Sequence, residues 1–307
     1  MAEPRPAPTD LDALTTEGRV PEARNLDLLS TREQVALLSA HDRVAVDAVE
    51  ASGDRIAEVV ELVASRLADG GRLIYVGAGT SGRLALLDAA ECGPTFGLEA
   101  GRVVAVMAGG EQAFGRALEQ GEDDAAAGRA DLASNEPGPD DVVVGVAASG
   151  RTPYVLAALG LAREAGAATV AVACSPDSPL AAGADHAIEV VTGPEVVSGS
   201  TRLKAGTAQK LVLNAISTLT MVRLGRTLGD LMVDVRATND KLQRRAVRIV
   251  VEATGATEVD AAEALEAAGG RAKVAIVMLL AGVGVETAAQ RLQDADGHVR
   301  RALEVGP

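Results

Sequence analysis

Residues Arg72 to Gly97, RLIYVGAGTSGRLALLDAAECGPTFG, constrain the fold more than any other stretch of the chain. The apolar run Leu73-Ile74-Tyr75-Val76 has the make-up of a buried strand. It meets Gly77-Ala78-Gly79-Thr80-Ser81-Gly82, and a helical pattern opens at Arg83-Leu84. Strand, tight turn and helix N-terminus in that order form an anion-binding junction, because the first N–H groups of a helix lack internal partners and glycine lets a phosphate approach them. Thr80 and Ser81 add hydroxyl donors. Gly77, Gly79 and Gly82 also spell the dinucleotide fingerprint G-x-G-x-x-G, which wants an acid about 20 positions on, at the end of the second strand. Here the second apolar run, Val103 to Met107, ends well beyond that, and the next acid is Glu111, behind Gly109-Gly110. The dinucleotide reading is weakened.

A second junction repeats the first. Val142 to Val146 runs into Ala147-Ala148-Ser149-Gly150-Arg151-Thr152-Pro153, with a helical pattern from Tyr154, so Ser-Gly-Arg recurs at the same strand-to-helix position. Two hydroxyl-bearing turns on neighbouring strands make a compact phosphate pocket rather than a long pyrophosphate groove. That favours a phosphosugar over a dinucleotide.

Composition narrows the classes. The 307 residues can hold one large domain or one and a half, with a sizeable core. A hydrophobic fraction of 48% and a mean hydropathy of +0.16 read as soluble and globular, and with 1% aromatics the core must be built of Ala, Val, Leu and Ile. The formal charge of −14 argues against nucleic acid, which needs clustered Lys and Arg or stacking aromatics. No apolar run reaches the length of a membrane span, and the start, MAEPRPAPTD, lacks a signal-peptide core. The expectation is a cytoplasmic protein with no membrane or nucleic-acid partner. Cys92 and Cys174 make no disulfide framework, and His41, His186 and His298 are scattered without metal-ligand spacing.

Taken in order, residues 1–10 are Pro- and Ala-rich and expected to be disordered. Ser30 or Thr31 is placed to cap a helix with Glu33 or Gln34 in its first turn, and Asp42 to Leu67 shows one long amphipathic pattern. Strands are expected at Leu73–Val76, Val103–Met107, Val142–Val146, Thr169–Ala173 and Ala187–Val191, with helices near 83–91, 112–128, 154–165 and 204–224. Near-continuous apolar strands alternating with helices imply a parallel sheet covered on both faces, with binding at the C-terminal strand ends. The fold expected is α/β: a three-layer α/β/α domain over 60–226 on a five-stranded parallel sheet, an N-terminal tail and helices over 1–59, and a small C-terminal helical subdomain over 227–307. Thr257-Glu258-Val259-Asp260 resembles a capping box before Ala261 to Ala267.

The blocks GAGTSGRLALLDAAEC, AASGRTPYV, EVVSGSTRLKAGTAQKLVLN and LMVDVRATNDKL together closely resemble the N-acetylmuramic acid 6-phosphate etherases, members of the sugar isomerase (SIS) superfamily. The resemblance runs from about Thr16 to the C-terminus. Val20 and Ala23 stand where the family usually has Asn and Ser. It implies cleavage of the lactyl ether of N-acetylmuramic acid 6-phosphate to N-acetylglucosamine 6-phosphate and D-lactate, in cell-wall sugar recycling, with no cofactor and no metal.

Site residues follow from turns and resemblance together. Ser81, Ser149 and Thr152 are the best phosphate ligands, with Thr80 beside them; the alternative for each is simple N-capping. Arg83 and Arg151 either help or cover apolar surface with their stems. Ser200 and Lys204, in a third hydroxyl-rich turn, are substrate ligands by resemblance, Lys204 being otherwise a solvated first-turn lysine. The resemblance also implies Glu91, in DAAEC, as the proton donor and Glu122, in EQGEDD, as the second active-site glutamate, among the neighbouring acids Glu119, Asp123 and Asp124. Cys92 is expected to be a structural thiol. If one helix carries both Ser81 and Glu91, ten residues separate them by ~15 Å, longer than a hexose phosphate. A homodimer with active sites at the interface is therefore expected. A catalytically silent phosphosugar-binding regulator, like the glucokinase regulatory protein, and an aldose-ketose phosphosugar isomerase are the other readings.

Overall fold

The computed structural model describes residues 15–110, 112–116, 121–235 and 240–304. Glu111, Glu119 and the Pro- and Ala-rich start lie outside them. Three short 3-10 turns, at Thr15–Glu17, Pro21–Ala23 and Leu26–Leu28, lead into α1 (Thr31–Ala51). Ser30 closes a capping box there: its hydroxyl accepts from Glu33 N, and Glu33 Oε2 accepts from Ser30 N at 2.8 Å. The long pattern of 42–67 is not one helix. It breaks at Ser52, and α2 (Gly53–Ala68) starts afresh, burying Ile56, Val59, Val60, Val63 and Leu67.

The α/β layer then alternates: β1 (Leu73–Gly77), α3 (Gly79–Phe96), β2 (Val103–Met107), α4 (Gln112–Gly115), α5 (Ala125–Ala133), β3 (Val142–Ala147), α6 (Pro153–Glu164), β4 (Ala168–Ala173), α7 (Pro179–Gly183), β5 (His186–Glu189) and α8 (Lys204–Arg223). All five strands are parallel, in the order β2-β1-β3-β4-β5. Two expectations shift. The fifth strand sits at His186–Glu189 rather than Ala187–Val191. Among the described residues, the helix expected near 112–128 is not continuous: α4 ends at Gly115, residues 122–124 are not helical, and Asp124 Oδ1 caps α5 by accepting from Ala127 N at 2.8 Å.

Strand periodicity sorts the core into two faces. Leu73, Tyr75, Val142, Val144, Val170 and Val172 pack with α2, α3 and α8. Ile74, Val76, Val143 and Ala171 pack with α6 through Tyr154, Val155, Ala158 and Leu159. Gly145 lets α6 pack closely on β3, since a Cβ there would stand 2.6 Å from Leu159 Cδ1 and 2.9 Å from Val155 Cγ1. The chain leaves β1 towards β2 and returns across it to β3, so the strand order reverses between β1 and β3, where such sheets form their ligand crevice.

After α8, a hairpin of β6 (Thr227–Leu228) and β7 (Leu231–Met232) leads to α9 (Asp240–Thr254), α10 (Glu258–Ala267), α11 (Ala272–Ala281), α12 (Val285–Asp294) and α13 (Val299–Glu304). These helices close their own cluster around Val233, Ile249, Val250, Ile276, Val277 and Ala302. Thr257 caps α10 by accepting from Asp260 N at 3.2 Å. Among the described residues no single helix is long and apolar enough to cross a membrane.

Arg72 and Asp141 join the starts of β1 and β3. Asp141 Oδ1 accepts from Arg72 N and Nε, at 2.9 and 3.1 Å, and Oδ2 from Arg72 Nη2 at 2.6 Å and Gly138 N at 3.0 Å. Burial alone would raise this carboxyl; the Arg72 pair and the Gly138 amide outweigh it and hold it below the usual carboxylate range. A depressed folded-state pKa stabilises above the unfolded value, about 3.9, and that contribution is lost as pH falls through the folded value beneath it. Asp141→Asn should cost about 2 kcal/mol near neutral pH, and chemical denaturation of both forms should show the gap closing below about pH 4.

Candidate functional site

The first turn of α3 is built by close approach. A Cβ on Gly77 would lie 2.7 Å from Gly82 N, and one on Gly82 would lie 2.8 Å from Gly77 O and 2.7 Å from Met107 Cγ. The outer glycines of the fingerprint therefore serve strand-to-helix packing. Gly79 opens the helix at a φ of +54° with open space around it. Ala78, at the N-cap, supplies no side-chain cap, so the leading N–H groups of α3 are not satisfied by one.

The second turn leaves the neighbouring strand in the same register, Gly77 pairing with Val146. Gly150 turns it at a φ of +64°, where a Cβ would strike Ser178 Cβ at 2.4 Å. Ser149 Oγ accepts from Arg151 N at 3.3 Å. Thr152 occupies the N-cap of α6, ahead of Pro153, yet makes no cap hydrogen bond. Ser81 does not cap α3 either; its hydroxyl donates to Gln209 Oε1 at 2.9 Å. Simple capping thus accounts for neither hydroxyl.

The third turn lies against the first, with Gly206 facing Thr80 Cγ2 at a built Cβ distance of 3.5 Å. Its helix end is already capped by an anion. Glu195, 1% exposed, accepts from Lys204 N through Oε2 at 3.1 Å and from Ala205 N through Oε1 at 2.9 Å. Lys204 is buried rather than solvated: its ammonium donates to Pro194 O at 2.6 Å and stands 3.4 Å from His41 Nδ1 on α1. Burial pulls the lysine below its usual range, against the attraction of Glu195 and Asp42. Ser200 is half-buried, its amide donating to Val197 O at 3.0 Å. Ser198 Oγ donates to Gly18 O at 3.1 Å, which brings the N-terminal segment onto this turn. Val20 is buried and Ala23 half-buried in that segment.

The two glutamates are exposed. A single uninterrupted helix carries Ser81 and Glu91, so ten residues of helix rise, ~15 Å, separate them. Glu122 stands at the first turn of α6, its carbonyl accepting from Tyr154 N at 3.0 Å, close behind Thr152. The Arg83 guanidinium is engaged within its own chain: it donates to the carbonyls of Ala113, Phe114 and Arg116, at 2.9, 3.1 and 3.0 Å. Cys92 is buried, its thiol pushed up to about 12 by burial and by Asp88, which suits packing and not nucleophilic attack.

Asp88, buried one helical turn before Glu91, was not singled out by sequence reasoning. Its Oδ2 accepts from Tyr75 Oη at 2.9 Å, and its Oδ1 from Asn214 Nδ2 at 2.6 Å and Ser217 Oγ at 3.0 Å. Burial raises the carboxyl against these three donors. Gln209 and Glu195 were also missed, although both lie in the quoted block EVVSGSTRLKAGTAQKLVLN; their partners are 128 and about ten positions away, and no local pattern pairs Gln209 with Ser81.

Doubly covered parallel strands with hydroxyl turns at the switch point define an SIS-class protein. Residues 133–219 match the SIS domain model, and residues 55–163 match the glucokinase regulatory protein N-terminal SIS domain. Among solved structures, the phosphoheptose isomerase of Francisella tularensis is similar at 15% identity, covering 62% of this chain and 98% of that one with a TM-score of 0.48. That of Neisseria gonorrhoeae is similar at 21% identity, 62% and 98% coverage and a TM-score of 0.47.

Full-length relatives are much nearer. The N-acetylmuramic acid 6-phosphate etherase of Rubrobacter xylanophilus is 56% identical over 96% of this chain and 98% of its own. Those of Mycolicibacterium smegmatis and Streptomyces avermitilis are 54% and 50% identical, over 97% and 100% of this chain and 100% and 99% of theirs. The chain belongs to the N-acetylmuramic acid 6-phosphate etherase family.

Removing the Asp88 carboxylate orphans three donors. Asp88→Ala should therefore cost about 3 kcal/mol in denaturant unfolding, and Tyr75→Phe, which removes one donor, about 1 kcal/mol. Equal stability of all three proteins would show that the cluster does not clamp α3 to α8.

Proposed function

We propose that this chain cleaves the D-lactyl ether of N-acetylmuramic acid 6-phosphate, giving N-acetylglucosamine 6-phosphate and D-lactate, in the cytoplasmic recycling of cell-wall sugars. Full-length membership in the etherase family carries the reading. Ser81, Ser149 and Thr152, with Thr80, hold the phosphate between the first turn of α3, whose leading N–H groups have no side-chain cap and favour an anion, and the hydroxyl turn ahead of α6. Ser200 contacts the sugar, and Lys204 serves it from within the third turn, its charge held on Pro194 O.

The chemistry needs one base and one acid. In the open-chain aldehyde the C2 proton is acidified and lactate on C3 is a β-leaving group. A base takes the C2 proton, the C2–C3 double bond forms as the C3–O bond breaks, and Glu91 protonates the departing lactate oxygen. Water then adds at C3 as the carboxylate of Glu91 takes its proton, and C2 is reprotonated. Glu122 assists as acid or base from the phosphate side of the site.

The unbroken α3 supports an interface site: Glu91 serves a phosphate held by a second copy of the chain. Apolar Val35, Val44 and Val46 on α1 and Leu87 on α3 are exposed in the single chain, which supports a homodimer. The 227–307 unit, with its separate core, has a packing role in this scheme.

The test is D-lactate release from N-acetylmuramic acid 6-phosphate in heavy-oxygen water. Lactate with solvent oxygen at sugar C3 is expected. Bound sugar phosphate without lactate would mean a non-catalytic regulator, and a ketose without lactate an isomerase. Glu91→Gln should retain phosphosugar binding and lose at least about 100-fold in turnover. Mixing Glu91→Gln subunits with Ser81→Ala/Thr152→Ala subunits should restore about a quarter of wild-type activity, since half the dimers then carry one intact shared site. No recovery in verified mixed dimers would place both elements of each site in one chain.

A further inference from the structure

We propose that Gln209 is a positioning residue for the phosphate turn, an amide whose reorientation decides whether the Ser81 hydroxyl can donate to a bound phosphate. This rests on the reading that Ser81 binds phosphate. Gln209 projects from α8, 1% exposed, and its Oε1 takes the Ser81 hydroxyl hydrogen at 2.9 Å. A serine hydroxyl has one hydrogen. While Gln209 holds it, Ser81 presents only lone pairs to an incoming phosphate, whose oxygens are acceptors too. The other end of the same amide is unspent: Gln209 Nε2 is buried and has no hydrogen-bond partner among the described residues. A buried donor left in that state is costly, and the pairing around it is expected to change when a ligand makes a better one available.

Rotation of the amide about its last torsion exchanges the two ends with little change of shape. Nε2 then donates to Ser81 Oγ, and the freed hydroxyl hydrogen turns outward beside the N–H groups of the first turn of α3. The donor chain runs from Gln209 to Ser81 to phosphate. Oε1 then takes the buried place of Nε2, so an orphaned donor is exchanged for an orphaned acceptor, and the gain is the hydrogen bond the phosphate receives from a hydroxyl that is itself polarised by the amide. Glutamine can act as either acceptor or donor towards Ser81. An ionised glutamate of nearly equal size can act only as acceptor.

The experiment measures binding of inorganic phosphate and of N-acetylglucosamine 6-phosphate by calorimetry, with kcat and KM for lactate release, on wild type, Gln209→Glu, Gln209→Met and Ser81→Ala. At pH 8, Gln209→Glu should weaken both ligands and raise KM by about 100-fold with kcat within about 3-fold, because the carboxylate keeps the Ser81 hydrogen and adds a like charge. Relative to wild type at each pH, the loss should shrink towards pH 5, as the introduced carboxyl group takes up a proton and regains a donor for Ser81. Gln209→Met, which neither holds the hydrogen nor supports it, should lose less than about 10-fold. A Gln209→Glu protein that binds like wild type, or whose deficit is independent of pH and falls on kcat, would overturn the proposal. If Gln209→Glu does not fold, a Gln209→Met loss as large as that of Ser81→Ala would do so. Unchanged phosphate binding by folded Ser81→Ala would instead remove the phosphate role of Ser81 itself.

Discussion

Everything at the crevice depends on how closely α3 approaches β1. Gly77 and Gly82 stand where any Cβ would meet backbone at 2.7 to 2.8 Å, so the helix starts almost on top of the strand that feeds it. Its first turn therefore opens at the strand end, next to the turn that leaves β3 in the same register. The same approach fixes the direction of the whole helix, and with it the exposed position of Glu91 far from the turn that begins it. The open first turn and the distant acid are two consequences of one piece of packing.

α8 makes that placement rigid. Asp88 collects Tyr75 from β1 and Asn214 and Ser217 from α8, Ser81 reaches Gln209, and Gly206 lies against Thr80. The third hydroxyl-rich turn, which introduces α8, is itself ordered from within, by the Glu195 carboxylate on its helix amides and by Lys204 on Pro194 O. Its helix terminus already holds an anion. This distinguishes it from the first two turns, whose helices lack side-chain caps, and concentrates the proposed phosphate site on the β1/β3 switch point.

Strands, turns and the caps of α1 and α10 were legible in the sequence because they depend on local signals: apolar runs, glycine at tight turns, and hydroxyls or carboxylates near helix starts. By contrast, α3 starts at Gly79, four residues ahead of the expected opening at Arg83. Ser30 with Glu33 and Thr257 with Asp260 are capped as their spacing implies. Where apolar periodicity ran on without a strong breaker, it misled. The pattern of 42–67 hides the break at Ser52, and the helix expected near 112–128 hides the non-helical residues 122–124, because amphipathic spacing does not reveal where backbone hydrogen bonding stops.

By itself, the sequence determined the α/β class, the two hydroxyl-bearing strand-to-helix turns, and, through long blocks of matching residues, the family. It could not determine where side chains point once helices pack. Lys204 reads as a substrate ligand by resemblance, with a solvated first-turn lysine as the alternative, and nothing in the sequence shows that α1 and the Pro194 carbonyl enclose it. Ser81 reads as a phosphate ligand, with capping as the alternative, and nothing local shows its hydroxyl finding Gln209 across 128 positions. Only tertiary structure decided these, since such contacts are set by the approach of elements distant in the chain, and local composition carries no record of which helix arrives alongside.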